Sequence, residues 1–289
     1  MTSIAATIAK ELQVRDSQVE QALTLLAEGN TVPFIARYRK EATGGLDDAQ
    51  LRYIEERNTY LVELAERKQA VLESIEAQGK LTDALKREIL AADAKARVED
   101  LYLPYKKRRK TKADIAREAG LEALEQQLID DPSASPEALA EAHLSEGFPD
   151  AKSALEGARA ILVDRFATDA DLVGEVRDRV YKQGTMRSTP VEGKETEGAK
   201  FADYFEFSEP FVTLPSHRIL ALLRGEAEGV LTLDMDPGDE AVYEGMIAER
   251  FALPVKESEW LAKAVRWGWR TKLQVSANLD TRMRLKEKA

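Results

Sequence analysis

Apolar residues recur every third or fourth position along most of this 289-residue chain, the spacing of a helix with one buried face. Ile4, Ile8 and Leu12 define a first short helix. Val19, Ala22, Leu23 and Leu26 define a second, opened by a Ser17-x-x-Glu20 capping box. Gly29 and Asn30 suit the left-handed residue that ends a helix. Thr31 can cap a third, with Pro33 in the first turn, where a missing N–H is tolerated. Phe34, Ile35 and Tyr38 are expected to be its buried side. After Gly44-Gly45, the stretch from Leu46 to about Gln78 reads as one long helix. Leu51, Asn58, Ala65 and Leu72 share one heptad position, and Ile54, Leu61, Lys68 and Ile75 the next. Asn58 and Lys68 make that seam partly polar, which predicts a helical-hairpin partner rather than a dimeric coiled coil.

Gly79 ends the long helix, and Thr82-Asp83 caps another reaching about Asp93. A shorter helix through Val98, Leu101 and Leu103 stops at Pro104. Thr111 caps a helix through Ile115, Gly120 ends it, and Leu121 to Ile129 follows. The turn-rich stretch from Asp131 to Pro136 is a candidate boundary between a helical region 1–131 and a second one 137–289. From Asp150 to Lys182 the apolar steps run on without a break, which predicts a second long helix over 150–182. Gly184 to Pro215 reads as irregular chain. A helix over Ser216 to Arg224 comes next, then one short strand near 230–235, carried by Val230, Leu231, Leu233 and Met235. Helices over Asp239 to Phe251 and Glu257 to Gln274 complete the pattern. Thr281 to Ala289 still reads as helix at the last residue, as expected of a chain cut from a longer one. The fold class expected is mostly α, a multi-helix scaffold with an N-terminal helix-turn-helix-like unit and at most that one strand.

Composition narrows the function. No apolar run approaches the ~18 residues of a membrane span, and the N-terminus lacks a basic start followed by an apolar block, so a membrane partner is not expected. There is no cysteine and there are two histidines, which excludes thiol chemistry and leaves little for a metal. Neither His143 nor His217 has a companion at triad or metal-ligand spacing. Asp47-Asp48 and Asp130-Asp131 read as helix-start and turn residues, and Gly193-Lys194 lacks the spacing of a phosphate loop. No active site, cofactor or small-molecule substrate is therefore expected.

The net charge of −10, from 42 basic and 52 acidic residues, argues against a polyanionic partner. Lys106 to Lys112 changes that picture, because KKRRKTK holds six cations and no acid. Such density can bind a phosphate backbone through counterion release, with Tyr102 and Tyr105 beside it to stack on unpaired bases. The competing reading is a basic turn paired with acidic helices. Arg37, Arg39 and Lys40, at the end of the third helix, stand where a recognition helix would meet DNA, although three short helices also form from packing alone. Trp267-Gly268-Trp269-Arg270-Thr271-Lys272 has the residues of a single-strand binder, but tryptophans at this spacing are better read as core.

Three blocks carry a family resemblance. Glu28-Gly-Asn-Thr-Val-Pro-Phe-Ile-Ala-Arg-Tyr-Arg-Lys-Glu-Ala-Thr-Gly-Gly-Leu46, Leu101-Tyr-Leu-Pro-Tyr-Lys-Lys-Arg-Arg-Lys-Thr-Lys112 and His217-Arg-Ile-Leu-Ala-Leu-Leu-Arg-Gly-Glu226 resemble, in that order, the bacterial transcription accessory proteins of the Tex family. The likeness covers essentially the whole chain but only the N-terminal part of the family. Its RNase-H-like, helix-hairpin-helix and S1 domains are expected to lie outside this sequence. The resemblance implies a cytoplasmic protein that binds nucleic acid, RNA or DNA, and takes part in transcription, and with no active site in its residues this chain is expected to be non-enzymatic. It also implies a helical N-terminal region with a helix-turn-helix-like unit, related in architecture to a eukaryotic elongation factor that also chaperones histones. Carried over from the blocks as nucleic-acid contacts are Arg37, Arg39 and Lys40, then Lys106, Lys107, Arg108, Arg109, Lys110 and Lys112, then Arg218 and Arg224. The alternative is a scaffold that binds RNA polymerase or another transcription partner and does not touch nucleic acid.

Overall fold

A computed structural model describes residues 3–106 and 108–289. The protein is mostly α-helical and divides into two compact units, Met1–Tyr105 and Lys106–Ala289.

The first unit contains α1 (Ile4–Leu12), α2 (Asp16–Ala27), α3 (Val32–Tyr38), α4 (Asp48–Glu76), α5 (Asp83–Ala91) and α6 (Lys95–Tyr102). Ser3 caps α1, Thr31 caps α3, Asp47 caps α4 and Thr82 caps α5, each accepting a hydrogen bond from a first-turn N–H. The start of α2 differs from the Ser17–Glu20 box. The helix begins at Asp16, and Gln18 Oε1 accepts from the Arg15 N–H at 3.2 Å. Gln18 Nε2 also donates to the Thr43 and Gly44 carbonyls, both at 3.1 Å, so one side chain ties the helix start to the Gly44-Gly45 turn. A box from Ser17 could not make that second link.

Ile8, Val19, Ala22, Ile35, Leu46, Leu51 and Ile54 close one core between α1, α2, α3 and the first turns of α4. The rest of α4 turns Leu64, Val71, Leu72 and Ile75 inward and packs on α5 and α6, the same-chain partner that the polar seam calls for. Leu64 takes the buried place expected of Ala65, which is exposed. Lys68 Nζ donates to the Leu90 carbonyl at 2.8 Å, and burial pulls its pKa below the usual lysine value. The expected burial of α3 is corrected. Val32 and Ile35 face the core, whereas Phe34 and Tyr38, the latter 61% accessible, stand on the outer face. The buried Val32 and Ile35 are an i, i+3 pair on one side of this seven-residue helix, and the i, i+4 aromatic pair points to another side of its axis.

The second unit opens with α7 (Lys112–Glu118), α8 (Glu122–Asp130), α9 (Pro136–Ala140) and α10 (Ala151–Thr168). The chain continues through α11 (Ala170–Gln183), β1 (Thr185–Pro190), β2 (Phe207–Pro210), α12 (Ser216–Ala227) and β3 (Leu231–Asp236). It closes with α13 (Glu240–Arg250), α14 (Glu259–Gly268), a π turn over Trp269–Leu273 and α15 (Gln274–Lys288). Helix α10 is the hub, burying Ala154, Ala158, Ile161, Leu162 and Phe166 against α7, α8, α9 and α14.

Three readings of this region change. The long helix over 150–182 is two helices, because Asp169 is extended (ψ 110°) and its carboxylate caps α11, accepting from the Leu172 N–H at 2.8 Å. Arg250 holds the same carboxylate, at 3.0 Å. The irregular stretch from Gly184 to Pro215 contains two strands beyond the one expected, and the antiparallel sheet has the order β2-β1-β3. In β1 the inward positions are Met186 and Ser188, and the Ser188 hydroxyl donates to the Tyr204 carbonyl. A hydroxyl on the buried face weakens the alternation by which a strand is read. The helix expected to end at Gln274 continues through the π turn into α15.

A candidate nucleic-acid interface

The basic segment from Lys106 to Lys112 sits at the head of α7, and its cations fall into different environments. Arg108 reaches Asp164 on α10, its terminal nitrogen 2.9 and 3.1 Å from the two carboxylate oxygens. Asp164 also accepts from Arg117 at 2.8 Å. Lys110 pairs with Glu118. Thr111 caps α7, and Asp114 Oδ2 accepts from both the Thr111 N–H and its hydroxyl at 2.8 Å. Those two bonds, backbone first, hold the Asp114 carboxyl below the usual aspartate value. Lys106, Arg109 and Lys112 are exposed and make no ion pair among the described residues. Lys107 lies outside the described residues. Of the tyrosines expected to stack on bases, Tyr102 is occupied. Its hydroxyl bonds Ser74 Oγ at 2.8 Å, and the Arg67 guanidinium lies 5.5 Å from its ring centre.

The two tryptophans of the Trp267-Gly-Trp269 motif separate. Residues two apart on a helix lie about 200° apart around its axis, so one faces in and the other out. Trp269 is buried and stacks flat on Tyr243, ring centres 4.2 Å apart, while the Tyr243 hydroxyl donates to the Pro237 carbonyl at 2.6 Å. Trp267 is 50% accessible, a correction to the core reading. The Arg159 guanidinium of α10 lies 4.5 Å from its ring centre. Gly268 permits the close approach of α14 to α10, since a Cβ there would stand 2.7 Å from Phe166 Cδ2.

These features border one groove of about 540 Å³ between α7, α10 and the π turn. Lys112, Arg159, Lys272 and Trp267 line it, with Ile115, Phe148 and Val163 supplying apolar surface. Sequence reasoning found the basic run and the tryptophan motif separately. Nothing in the sequence joined them through Arg159, because Arg159 lies far from both along the chain and meets them only when α10 packs between α7 and α14.

In the first unit, Arg37, Arg39 and Lys40 are brought together at the exposed end of α3. Phe34 and Tyr38 pack with ring centres 5.2 Å apart, and the Arg39 guanidinium lies 5.7 Å from the Phe34 ring. The third pair of candidates is neutralised: Arg218 bonds Glu209 and Arg224 bonds Glu228, both on α12 away from the groove lining. His143 Nε2 meets Gln127 Oε1 at 3.0 Å. Among the described residues, no group of three His, Asp or Glu side chains is placed to hold a metal ion, and no helix is long and apolar enough to cross a membrane.

Two family models match this chain, one described as Tex-like protein N-terminal domain over residues 2–76 and one as Tex central region-like over residues 131–289. The chain is 50% identical, over 99% of its length, to the transcriptional accessory protein Tex of Neisseria gonorrhoeae. It is 48% identical over 99% to protein YhgF of Escherichia coli strain K12. It spans 39% of the length of each of these relatives. A human protein named S1 RNA-binding domain-containing protein 1 is 31% identical over 75% of this chain, which covers 22% of it.

Proposed function

Because this chain belongs to the Tex family of transcription accessory proteins, we propose that it is the helical N-terminal scaffold of such a factor and adds basic contacts to nucleic acid. The observation that carries this reading is the open trio Lys106, Arg109 and Lys112, exposed cations in a segment whose other described cations are spent on carboxylates. An exposed cation without a partner is free to replace condensed counterions along a phosphate backbone. The end of α3, with Arg37, Arg39 and Lys40 beside exposed Phe34 and Tyr38, is a second surface of the same chemistry. In this reading α1 to α3 serve as the helix-turn-helix-like unit, and the protein acts in the cytoplasm without catalysis of its own. The relative named for an S1 RNA-binding domain is consistent with a nucleic-acid setting. Titration against labelled RNA and DNA at several salt concentrations tests it, with affinity expected to fall steeply as salt rises.

A second reading, a docking scaffold for the transcription machinery, is favoured by one observation. Val275, Leu279 and Met283 step by four along α15 and are exposed, an apolar stripe of the kind that a partner helix covers. No nucleic-acid binding even at low salt, together with retention of polymerase subunits by the chain, would select it.

A further inference from the structure

We propose that the groove between α7, α10 and the π turn is a subsite for single-stranded nucleic acid, in which an unpaired base stacks on Trp267 and the flanking phosphates meet Lys112 and Lys272. This rests on the nucleic-acid reading and adds to it a strand class and a place.

Five observations converge. Trp267 leaves half of a large indole in water although its neighbour two residues on is fully buried, so the fold has the means to bury a tryptophan here and does not. The Arg159 guanidinium lies over one face of the indole, 4.5 Å from the ring centre, and fixes its orientation, so that a base would stack on the face it leaves open. Ile115, 46% accessible, lies in the same groove and gives a base an apolar floor. Lys112 and Lys272, on opposite sides in sequence, are both exposed and make no ion pair among the described residues. The groove's acid Asp164 is occupied by Arg108 and Arg117, which leaves Glu156 as its opposing charge.

The volume of about 540 Å³ lies within the range of clefts that take a small ligand, and so suits a nucleotide or two rather than a duplex. A paired base has no free face for Trp267, whereas every unpaired base does, which makes the site selective for single strands and tolerant of sequence. An acidic peptide would satisfy the lysines but leave the indole and guanidinium planes unused.

The test uses the whole chain and fluorescent oligouridine, oligothymidine and a duplex, each of about 12 nucleotides per strand, the scale of a single-strand site. Single strands are expected to bind more tightly than the duplex. Trp267→Ala should lower single-strand affinity roughly 5- to 100-fold and leave duplex affinity unchanged, while Trp267→Phe keeps most of it. The near-ultraviolet signal of the Tyr243–Trp269 stack serves as the control that the variant is folded. Comparison of the uridine and thymidine strands assigns the site to RNA or DNA. Unchanged single-strand affinity in Trp267→Ala, or displacement of the strand by polyglutamate as readily as by unlabelled strand, overturns this proposal and leaves the broader reading standing. Absence of binding by the wild-type chain to all three probes overturns both.

Discussion

Arg108, at the head of α7, reaches both carboxylate oxygens of Asp164 in the C-terminal half of α10, at 2.9 and 3.1 Å, and Arg117 shares the second of them at 2.8 Å. One acid with a 12% accessible side chain thereby holds two cations, one of them from the run that looks most like a nucleic-acid patch. Removing Asp164 leaves both guanidiniums without it. Asp164→Ala should lower the free energy of unfolding by about 1–3 kcal/mol, as expected for a partly buried charge network that loses its centre. Arg109→Ala should stay within about 0.5 kcal/mol of wild type. Urea denaturation of the two variants checks the contrast, and equal effects would mean that Arg108 is not a structural clamp.

The same division sets the electrostatic footprint. Six cations in the run suggest up to about six phosphate contacts, whereas ion pairing leaves Lys106, Arg109 and Lys112 as the open ones among those described. Neutralising these three together should reduce the slope of log affinity against log salt by about two to three, at roughly 0.7–0.9 per phosphate contact. Neutralising Lys110, which is paired with Glu118, should change the slope far less.

Glu125 on α8 is buried, and desolvation raises its carboxyl above the ordinary 4.5 even though Arg165, at 2.5 Å, works the other way. An acid whose folded-state pKa is raised makes the folded state bind more protons than the unfolded state between 4.5 and the raised value. Its ionisation therefore costs stability above that window, and the cost fades as pH falls through it. Glu125→Gln should be at least as stable as wild type at neutral pH, with the difference shrinking as pH approaches 4.5. Unfolding free energies of both proteins across that range decide it. A Gln variant that is less stable at neutral pH would mean that the pairing with Arg165 outweighs desolvation.

Gly268 sets the spacing between α14 and α10. Gly268→Ala would bring a Cβ to 2.7 Å from the fully buried Phe166 ring, and overpacking of this kind costs about 1–3 kcal/mol. Gly245 on α13 is the matched control, because no heavy atom lies within 4 Å of the place an alanine Cβ would take. Alanine there should be neutral or stabilising by about 0.5–1 kcal/mol through helix propensity. Thermal unfolding of the pair separates packing from propensity.

Much of the helical frame is present in local signals. Thr31, Thr82 and Thr111 cap the helices they are expected to cap, and Gly29, Gly79 and Gly120 adopt the positive φ expected at helix ends. A cap is one side chain meeting an N–H three residues on, so nothing distant is needed to specify it. Asp169 shows where this fails. Its apolar flanks keep a helical period on both sides, and the break depends on a carboxylate turned to Leu172 and held by Arg250, some eighty residues away in sequence.

The mostly α class, most helix ends, the family and the dense basic run at Lys106 to Lys112 are legible in the sequence, because periodicity, caps, motifs and charge density are local properties. Tertiary structure decided which cations stay open, which tryptophan faces water and which strands flank β1. Each of these depends on what another segment brings within a few ångströms. Asp164 takes Arg108 and leaves Lys112, and Phe166 and Tyr243 receive the Gly268–Trp269 side of the motif. That leaves Trp267 to Arg159, in a groove shared with the basic run.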